Sequence, residues 1–387
     1  MSGKGKALNA VPVKEERNIG IELFRVFSMM LVVMLHVLGH GGVYSHTEFL
    51  SANYKVAWFL EVIAYCSVNC YALISGYANV KSSFKFRRIV YLWLEVVTLN
   101  FGMNALMYFA VPTANIEPDY WVRAFFPLSR RLYWYFCAYF FMFPLIPILN
   151  QGILSLKKYQ HIIIMLLLQV PTIFRLTAQK DNYVLGSGYS ALWLICLYVL
   201  GSYFRIYGAP KWAKWFVTLP VFFAAAFVAW KYKMNIEAQY AQGLIEKDSE
   251  LYSNRGILIS YISPCMVIMA VALLLFFMQI KIKWKIPKLI ISNLGKASFG
   301  VFILHVGAAV WYWKEFWSKF NEYAKYPTGK MVLFVILATL AIYLSMSLLS
   351  LARIYLFKLL RVHKAVDFIA DLPTKIKKKR TDGKSVS

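Results

Sequence analysis

The chain has 387 residues with 43 Lys plus Arg against 18 Asp plus Glu, a net charge of +25, yet 60% of it is apolar and only 16% charged. A mean hydropathy of +0.54, with 29 Phe, 26 Tyr and 12 Trp, excludes a soluble basic domain with a nucleic-acid partner, and it excludes intrinsic disorder, which needs few aromatics. Twenty glycines and five cysteines exclude collagen-like and disulfide-rich scaffolds, which leaves an all-α polytopic membrane protein.

A bilayer core asks for about 20 mostly apolar residues per helix. Ten such windows follow in chain order, near 20–40, 56–79, 89–111, 133–150, 160–176, 190–207, 213–230, 256–280, 297–313 and 331–352. Transmembrane strands would instead alternate apolar and polar residues over segments of about ten, and nothing in the chain does so throughout. Pooling alternate loops puts 27 bases on the side of the termini and 14 on the other, with Arg25 and Lys296 inside spans. Basic loops stay cytoplasmic, so both termini are predicted to be inside. The first apolar run starts near Ile19 and no small-residue cleavage site follows it, so it reads as helix one and not as a cleaved leader. The predicted organisation is a cytoplasmic segment 1–18, a transmembrane domain 19–360 and a basic cytoplasmic tail 361–387, in a multi-pass protein of the cytoplasmic membrane. The tail, DLPTKIKKKR, is expected to be solvated or to lie on anionic membrane lipid.

The five cysteines, Cys66, Cys70, Cys137, Cys196 and Cys265, all fall in predicted spans and form no CxxC pair. They read as buried apolar-like residues, and no metal site is expected. No internal repeat is apparent, so an inverted-repeat transporter gains no support.

Charged groups inside a span cost about 2.5 to 3.5 kcal/mol each on insertion scales, which makes each a candidate for function. Helix one, IELFRVFSMMLVVMLHVLGH, carries Glu22, Arg25 and His36, with His40 at its outer end. Glu22 and Arg25 are three apart and can pair. Arg25 and His36 are eleven apart, three turns plus a small angle, so they share a face about 16 Å apart along the axis. Arg25 reads either as a snorkelling anchor at the inner boundary or as part of a site. His36 reads either as an interhelical hydrogen-bonder or as a general base, since imidazole titrates near neutrality. The loop after span two places Lys81, Lys85, Arg87 and Arg88 within eight residues. That run is either a topology signal or a phosphate clamp for a polyanion such as coenzyme A.

These residues, in this order, resemble the membrane-bound acyltransferase-3 family, bacterial multispanning enzymes that O-acylate surface glycans and related acceptors. The opening RNIGIELFRVFSMMLVVMLHV is similar to the family's first-helix pattern, and CYALISGY with the basic stretch after it is similar to its second-helix exit. RLYWYFCAYFFMFPLIPILN, GYSALWLICLYVLGSYFRIYG and NLGKASFGVFILHV resemble its fourth, sixth and ninth helices. The resemblance implies acetyl-CoA, or another acyl-CoA, as donor and a glycan or lipid-linked sugar as acceptor. It further implies His36 as the catalytic residue, Arg25 as its partner in the donor pathway with Glu22 beside it, and Lys85, Arg87 and Arg88 around the coenzyme phosphates. The family's Arg-x-x-Arg stands here as Lys85, Phe86, Arg87, Arg88, and lysine lacks the bidentate fork.

On this reading a donor held inside extends its arm up helix one past Arg25 to His36, which deprotonates an acceptor hydroxyl; direct attack is favoured over an acyl-histidine. Tyr133, Trp134 and Tyr135 begin helix four at the outer face, as interfacial aromatics or, for Trp134 and Tyr135, as acceptor contacts. His305, late in helix nine, is expected to shape the site from the outer side. Glu61 and Glu95 are placed to orient His36 or to pair with Arg25, with Glu95 better suited to Arg25. Ser75, Gly76 and Tyr77 close helix two, where small residues let a neighbour approach. Outer loops near 112–132, 231–255 and 314–330 are expected to select the acceptor. The competing reading is a proton-coupled transporter or flippase in which Glu22, Arg25 and His36 form a relay. That would call for Gly or Pro breaks within spans of matching halves, whereas Pro144, Pro147 and Pro171 fall mostly at predicted span ends.

Overall fold

The computed structural model describes residues 18–82, 87–130, 133–178, 181 and 183–368. Lys85, most of the N-terminal segment and the end of the basic tail lie outside the described residues. Every regular element among the described residues is helical. In chain order these are α1 (Ile19–Leu38), α2 (Ala52–Tyr65), α3 (Ser67–Asn79), α4 (Arg87–Ala110), α5 (Pro118–Phe125), α6 (Trp134–Met142), α7 (Ile146–Ser155), α8 (Lys158–Leu167) and α9 (Val170–Ala178). They continue with α10 (Ala191–Tyr207), α11 (Trp215–Ala241), α12 (Glu250–Ser253), α13 (Pro264–Met278), α14 (Lys285–His305), α15 (Ala308–Trp311), α16 (Lys314–Ser318) and α17 (Thr328–Leu359).

Taking α2–α3 and α6–α7 as single stretches, seven helical segments among the described residues are long and apolar enough to cross a bilayer, and the chain is a multi-pass membrane protein. Three shorter apolar stretches, Lys158–Phe174, Ala191–Tyr207 and Pro264–Met278, occupy the fifth, sixth and eighth predicted windows. Several boundaries differ from the sequence expectation. The seventh helix runs on to Ala241, so Lys233 and Glu237 are buried helix residues and not part of an outer loop. Their i, i+4 ion pair cancels the charge that made the stretch read as a loop. The eighth helix starts only at Pro264, capped by Ser263, whose side chain accepts from the Cys265 amide. The ninth starts at Lys285, twelve residues before its predicted window, because lysines in a first turn lower the hydropathy without preventing a helix. Pro144 sits in a 3-10 turn, Phe143–Leu145, between α6 and α7, and Pro171 lies in the first turn of α9. Both therefore interrupt apolar stretches in their interiors, where the missing N–H and the ring clash break the helix.

Helix α1 is the axis of the fold. It begins at an Asn18 cap, whose side chain accepts from the Gly20 amide at 2.9 Å, and 72% of its apolar window is buried, against 28% for α17 and 22% for α11. It packs against α2, α3, α13, α14 and α17. In lipid the drive for such packing is close van der Waals contact, which small residues permit. The α3–α10 crossing shows this twice. A Cβ added at Gly76 would overlap the Tyr198 backbone, and one at Gly201 would overlap the Leu73 backbone, so two glycines meet the opposite main chain reciprocally. Large apolar side chains such as Phe109, Ile148 and Leu348 stay exposed on the periphery, the surface a hydrocarbon solvent accommodates. All five cysteines are free thiols, four of them buried.

Candidate active site along the first helix

Three cavities follow one another along α1. The first, at its N-terminal end, has a volume of about 570 Å³ and is lined among others by Glu22, Arg25, Asn79, Arg88, Tyr139 and Arg205. Arg25 Nη1 donates to Glu22 Oε2 at 2.7 Å. Of the basic run after α3, Arg88 lines this cavity, while Arg87 is engaged by Asp367 at 3.0 Å. Lys85 lies outside the described residues.

The second cavity is a chamber of only about 60 Å³, lined by His36, Tyr71, Trp134, Tyr135, Tyr261, Phe299 and Phe302 together with aliphatic side chains. Two tyrosines connect it to the first cavity. Tyr71, in the chamber wall, donates its hydroxyl to the Arg25 carbonyl at 2.8 Å. Tyr139, in the first cavity, lies parallel to Tyr135 of the chamber with ring centroids 6.3 Å apart. Along the straight α1 the Arg25 and His36 positions are separated by about 16 Å.

His36 and His305 meet, Nδ1 to Nε2, at 2.9 Å, and His305 Nδ1 lies 2.6 Å from the Val301 carbonyl. A carbonyl only accepts, so His305 Nδ1 carries the proton and, in a neutral ring, its Nε2 is an acceptor. His36 Nδ1 must then donate, and His36 Nε2 is left with its lone pair. The peptide oxygen of Val301 thus sets the tautomer of His36 through His305, the device by which a second group selects the reactive nitrogen of an imidazole. His305 is fully buried and held on α14. Tyr133, also buried, has its hydroxyl 2.5 Å from Asn100 Oδ1 and 2.8 Å from the Ile303 carbonyl, two acceptors for one proton, and so braces α14 two residues before His305.

The third cavity is a cleft of about 880 Å³ at the other end of α1, formed by residues around His40, Glu117, Arg123, Trp311 and Glu315. Trp311 separates it from the chamber. Its ring stands edge-on to His36 at 5.0 Å and stacks flat on His40 at 3.8 Å. Tyr120 and Tyr312 stack at 5.7 Å, and burial raises the Tyr120 phenol above its usual pKa, keeping it a donor. Of the three loops expected to select the acceptor, the first and third contribute to this cleft; 231–255 lines none of it.

One carboxylate, Glu95, falls elsewhere than expected. Glu95 pairs with Arg353 of α17, not with Arg25 or His36. Glu61 is buried, and its Oε2 has no hydrogen-bond partner among the described residues. Sequence reading also missed Arg205, Tyr71 and Trp311. By sequence Arg205 is one of the 27 bases on the side of the termini, and its place at the last turn of α10 puts it in the wall of the first cavity.

A family model described as an acyltransferase domain matches residues 18–350, a stretch that contains the walls of all three cavities. The chain belongs to the acyltransferase-3 family. No curated protein and no solved structure matches it. As a membrane acyltransferase it has to bring an activated acyl group and a nucleophile to one point. The chamber holds His36, which meets His305, and lies between a cavity lined by Arg25, Arg88 and Arg205 and an aromatic cleft of mixed charge, with Glu117 and Glu315 beside Arg123 and Lys314.

Proposed function

We propose that this acyltransferase moves an acetyl group from acetyl-CoA, bound on the cytoplasmic side in the cavity at the start of α1, to a hydroxyl of a surface polysaccharide or lipid-linked sugar in the outer cleft. The observation that carries the reading is the Val301–His305–His36 hydrogen-bond chain, which leaves an unprotonated His36 Nε2 on a residue lining the chamber between the two larger cavities. The excess of basic residues on the side of the termini, 27 against 14, supports the orientation.

The donor's phosphates lie against Arg88 in the first cavity, with Arg25 further along the arm's path. The thioester reaches the chamber, whose volume of about 60 Å³ is that of a few water molecules at about 10–15 Å³ each, a fit for acetyl and not for a long chain. His36 Nε2 takes the proton of the acceptor hydroxyl as its oxygen attacks the thioester carbonyl. The imidazolium formed keeps Nδ1–H on His305, a hydrogen bond that strengthens as charge develops. Collapse of the tetrahedral adduct breaks the C–S bond, and the departing thiolate takes up the proton from His36. Glu22 and Arg25 pair with each other in one cavity while His36 lies in the next, which disfavours a proton relay through all three.

Membranes containing the protein, given acetyl-CoA radiolabelled in the acetyl group, should transfer label to glycan, and His36→Ala should abolish transfer while the protein remains inserted. Full transfer by that variant would refute the mechanism, and substrate flux without any need for coenzyme would favour the transporter.

A further inference from the structure

We propose that His40 is an acceptor-binding residue that takes a hydrogen bond from a second hydroxyl of the sugar being acetylated, so that the substrate of the outer cleft is a ring with at least two free hydroxyls and not a simple alcohol; this rests on the reading of that cleft as the acceptor site. His40 is exposed and lines the cleft of about 880 Å³. Its Nε2 lies 2.9 Å from the Trp311 carbonyl. A carbonyl only accepts, so Nε2 carries the proton, and in a neutral ring Nδ1 keeps a lone pair. That Nδ1 makes no hydrogen bond among the described residues. His36 likewise keeps an unprotonated Nε2, so each of the two imidazoles against Trp311 ends in a nitrogen able to accept. What such a nitrogen selects is a donor. A hydroxyl serves, whereas an ether, or a hydroxyl already acetylated, has no proton to give.

The His40 ring is held by the fold. One face stacks on the Trp311 indole, 3.8 Å between centroids and 7° from parallel, and the Trp317 indole stands edge-on to it at 4.8 Å. Trp317 is buried and donates Nε1–H to the Val310 carbonyl at 2.8 Å, so both indoles act as positioning residues. His40 follows His36 by one helical turn. The Gly41 amide still bonds back to the His36 carbonyl at 2.8 Å, and four residues of helical rise put His40 about 6 Å further along the axis. The chain then departs through Gly41, where a Cβ would overlap the Val37 carbonyl, and through Gly42 at a φ of +77°. An offset of one turn is the breadth of one sugar ring. A ring lodged beside Trp311 with one hydroxyl at His36 therefore presents another to His40. Two contacts on one ring fix which hydroxyl points inward, where a single contact leaves the ring free to turn.

The test uses membranes containing the full-length protein, acetyl-CoA radiolabelled in the acetyl group, and as acceptor the envelope glycan of the same cells freed of O-acetyl groups by mild alkali. His40→Ala should raise the KM for this glycan about fivefold, the effect of one hydrogen bond of average strength, with the donor KM and the kcat at saturating glycan within twofold. His40→Gln, whose side-chain oxygen accepts, should recover most of the loss. His40→Phe, which keeps a ring on Trp311 but offers no acceptor, should behave as His40→Ala does. Tyr312→Ala, in the same cleft, should also raise the glycan KM. An unchanged glycan KM in His40→Ala beside a raised one in Tyr312→Ala overturns the role of His40 and leaves the cleft as the acceptor site. A fall in kcat with the glycan KM unchanged, or an unimpaired His40→Phe, overturns it as well, because His40 would then serve only to brace Trp311. If neither His40→Ala nor Tyr312→Ala moves the glycan KM, or if the unsubstituted protein labels no glycan, the acceptor-site reading itself fails, and the assignment of His40 fails with it.

Discussion

Replacing His305 by alanine tests the chemistry at its least obvious point, because on the proposed mechanism His305 touches neither donor nor acceptor. It accepts from His36 Nδ1 at 2.9 Å and is itself fixed by the Val301 carbonyl at 2.6 Å. Without it the His36 ring has no acceptor for Nδ1–H, so both tautomers become accessible and a buried donor is left unsatisfied at a cost of about 1–3 kcal/mol. Placed on the transition state alone, that cost is about 5- to 150-fold in kcat, with the donor KM unchanged. Losing the base itself, in His36→Ala, should cost about 10²- to 10⁴-fold. His305→Gln, whose side-chain oxygen accepts, should recover part of the rate. The discriminating measurement is the double variant in the radiolabel transfer assay. If His305 acts only through His36, the double variant is no slower than His36→Ala alone. A wild-type kcat in His305→Ala, or a double variant slower by the full product of both factors, would refute the tautomer argument.

Arg88→Ala should raise the donor KM at least tenfold while Arg87→Ala changes it less than threefold, since Arg88 lines the cavity and Arg87 is held by Asp367; donor titrations of both variants check this. Arg353→Ala should destabilise the protein by about 3–5 kcal/mol by leaving the Glu95 carboxylate unpaired, and adding Glu95→Gln should restore much of the loss in a thermal melt in detergent. Phe299→Ala removes a phenyl ring from the chamber wall and should raise the propionyl-to-acetyl ratio of kcat/KM at least tenfold, because one methylene in an apolar pocket is worth about 10- to 200-fold. An unchanged ratio would mean the acyl group does not rest in this chamber.

Helical periodicity made the local part of the site legible in the sequence. Glu22 and Arg25 three apart predict the ion pair, and the eleven-residue step to His36 predicts a shared face; both depend only on α1 being straight. Position along a helix likewise put His305 near the outer end, but its pairing with His36 joins residues 269 apart, and spacing says nothing of which helices are neighbours. The same gap explains Glu95, whose inner-end position suited Arg25 equally well until α17 brought Arg353 to it. Helix ends suffered where charge lay inside a helix, as at Lys233 with Glu237 and at Lys285, because window hydropathy counts a paired or snorkelling charge as fully polar. Arg87 and Arg88 are adjacent in sequence and therefore about 100° apart around α4. Which of them faces the cavity is decided by rotation of that helix, which no motif encodes.

The thin aromatic partition between two polar cavities has an electrical consequence. A membrane potential falls mainly across material of low dielectric, so much of the voltage should concentrate on the rings and side chains around His36, where each elementary charge moved is worth about 2.3 kcal/mol per 100 mV. An acetyl group is neutral and crosses that step without electrical work, whereas the phosphates that carry it stay on their own side of the field. On the proposed mechanism, the partition would pass the acetyl cargo and retain the coenzyme that carries it.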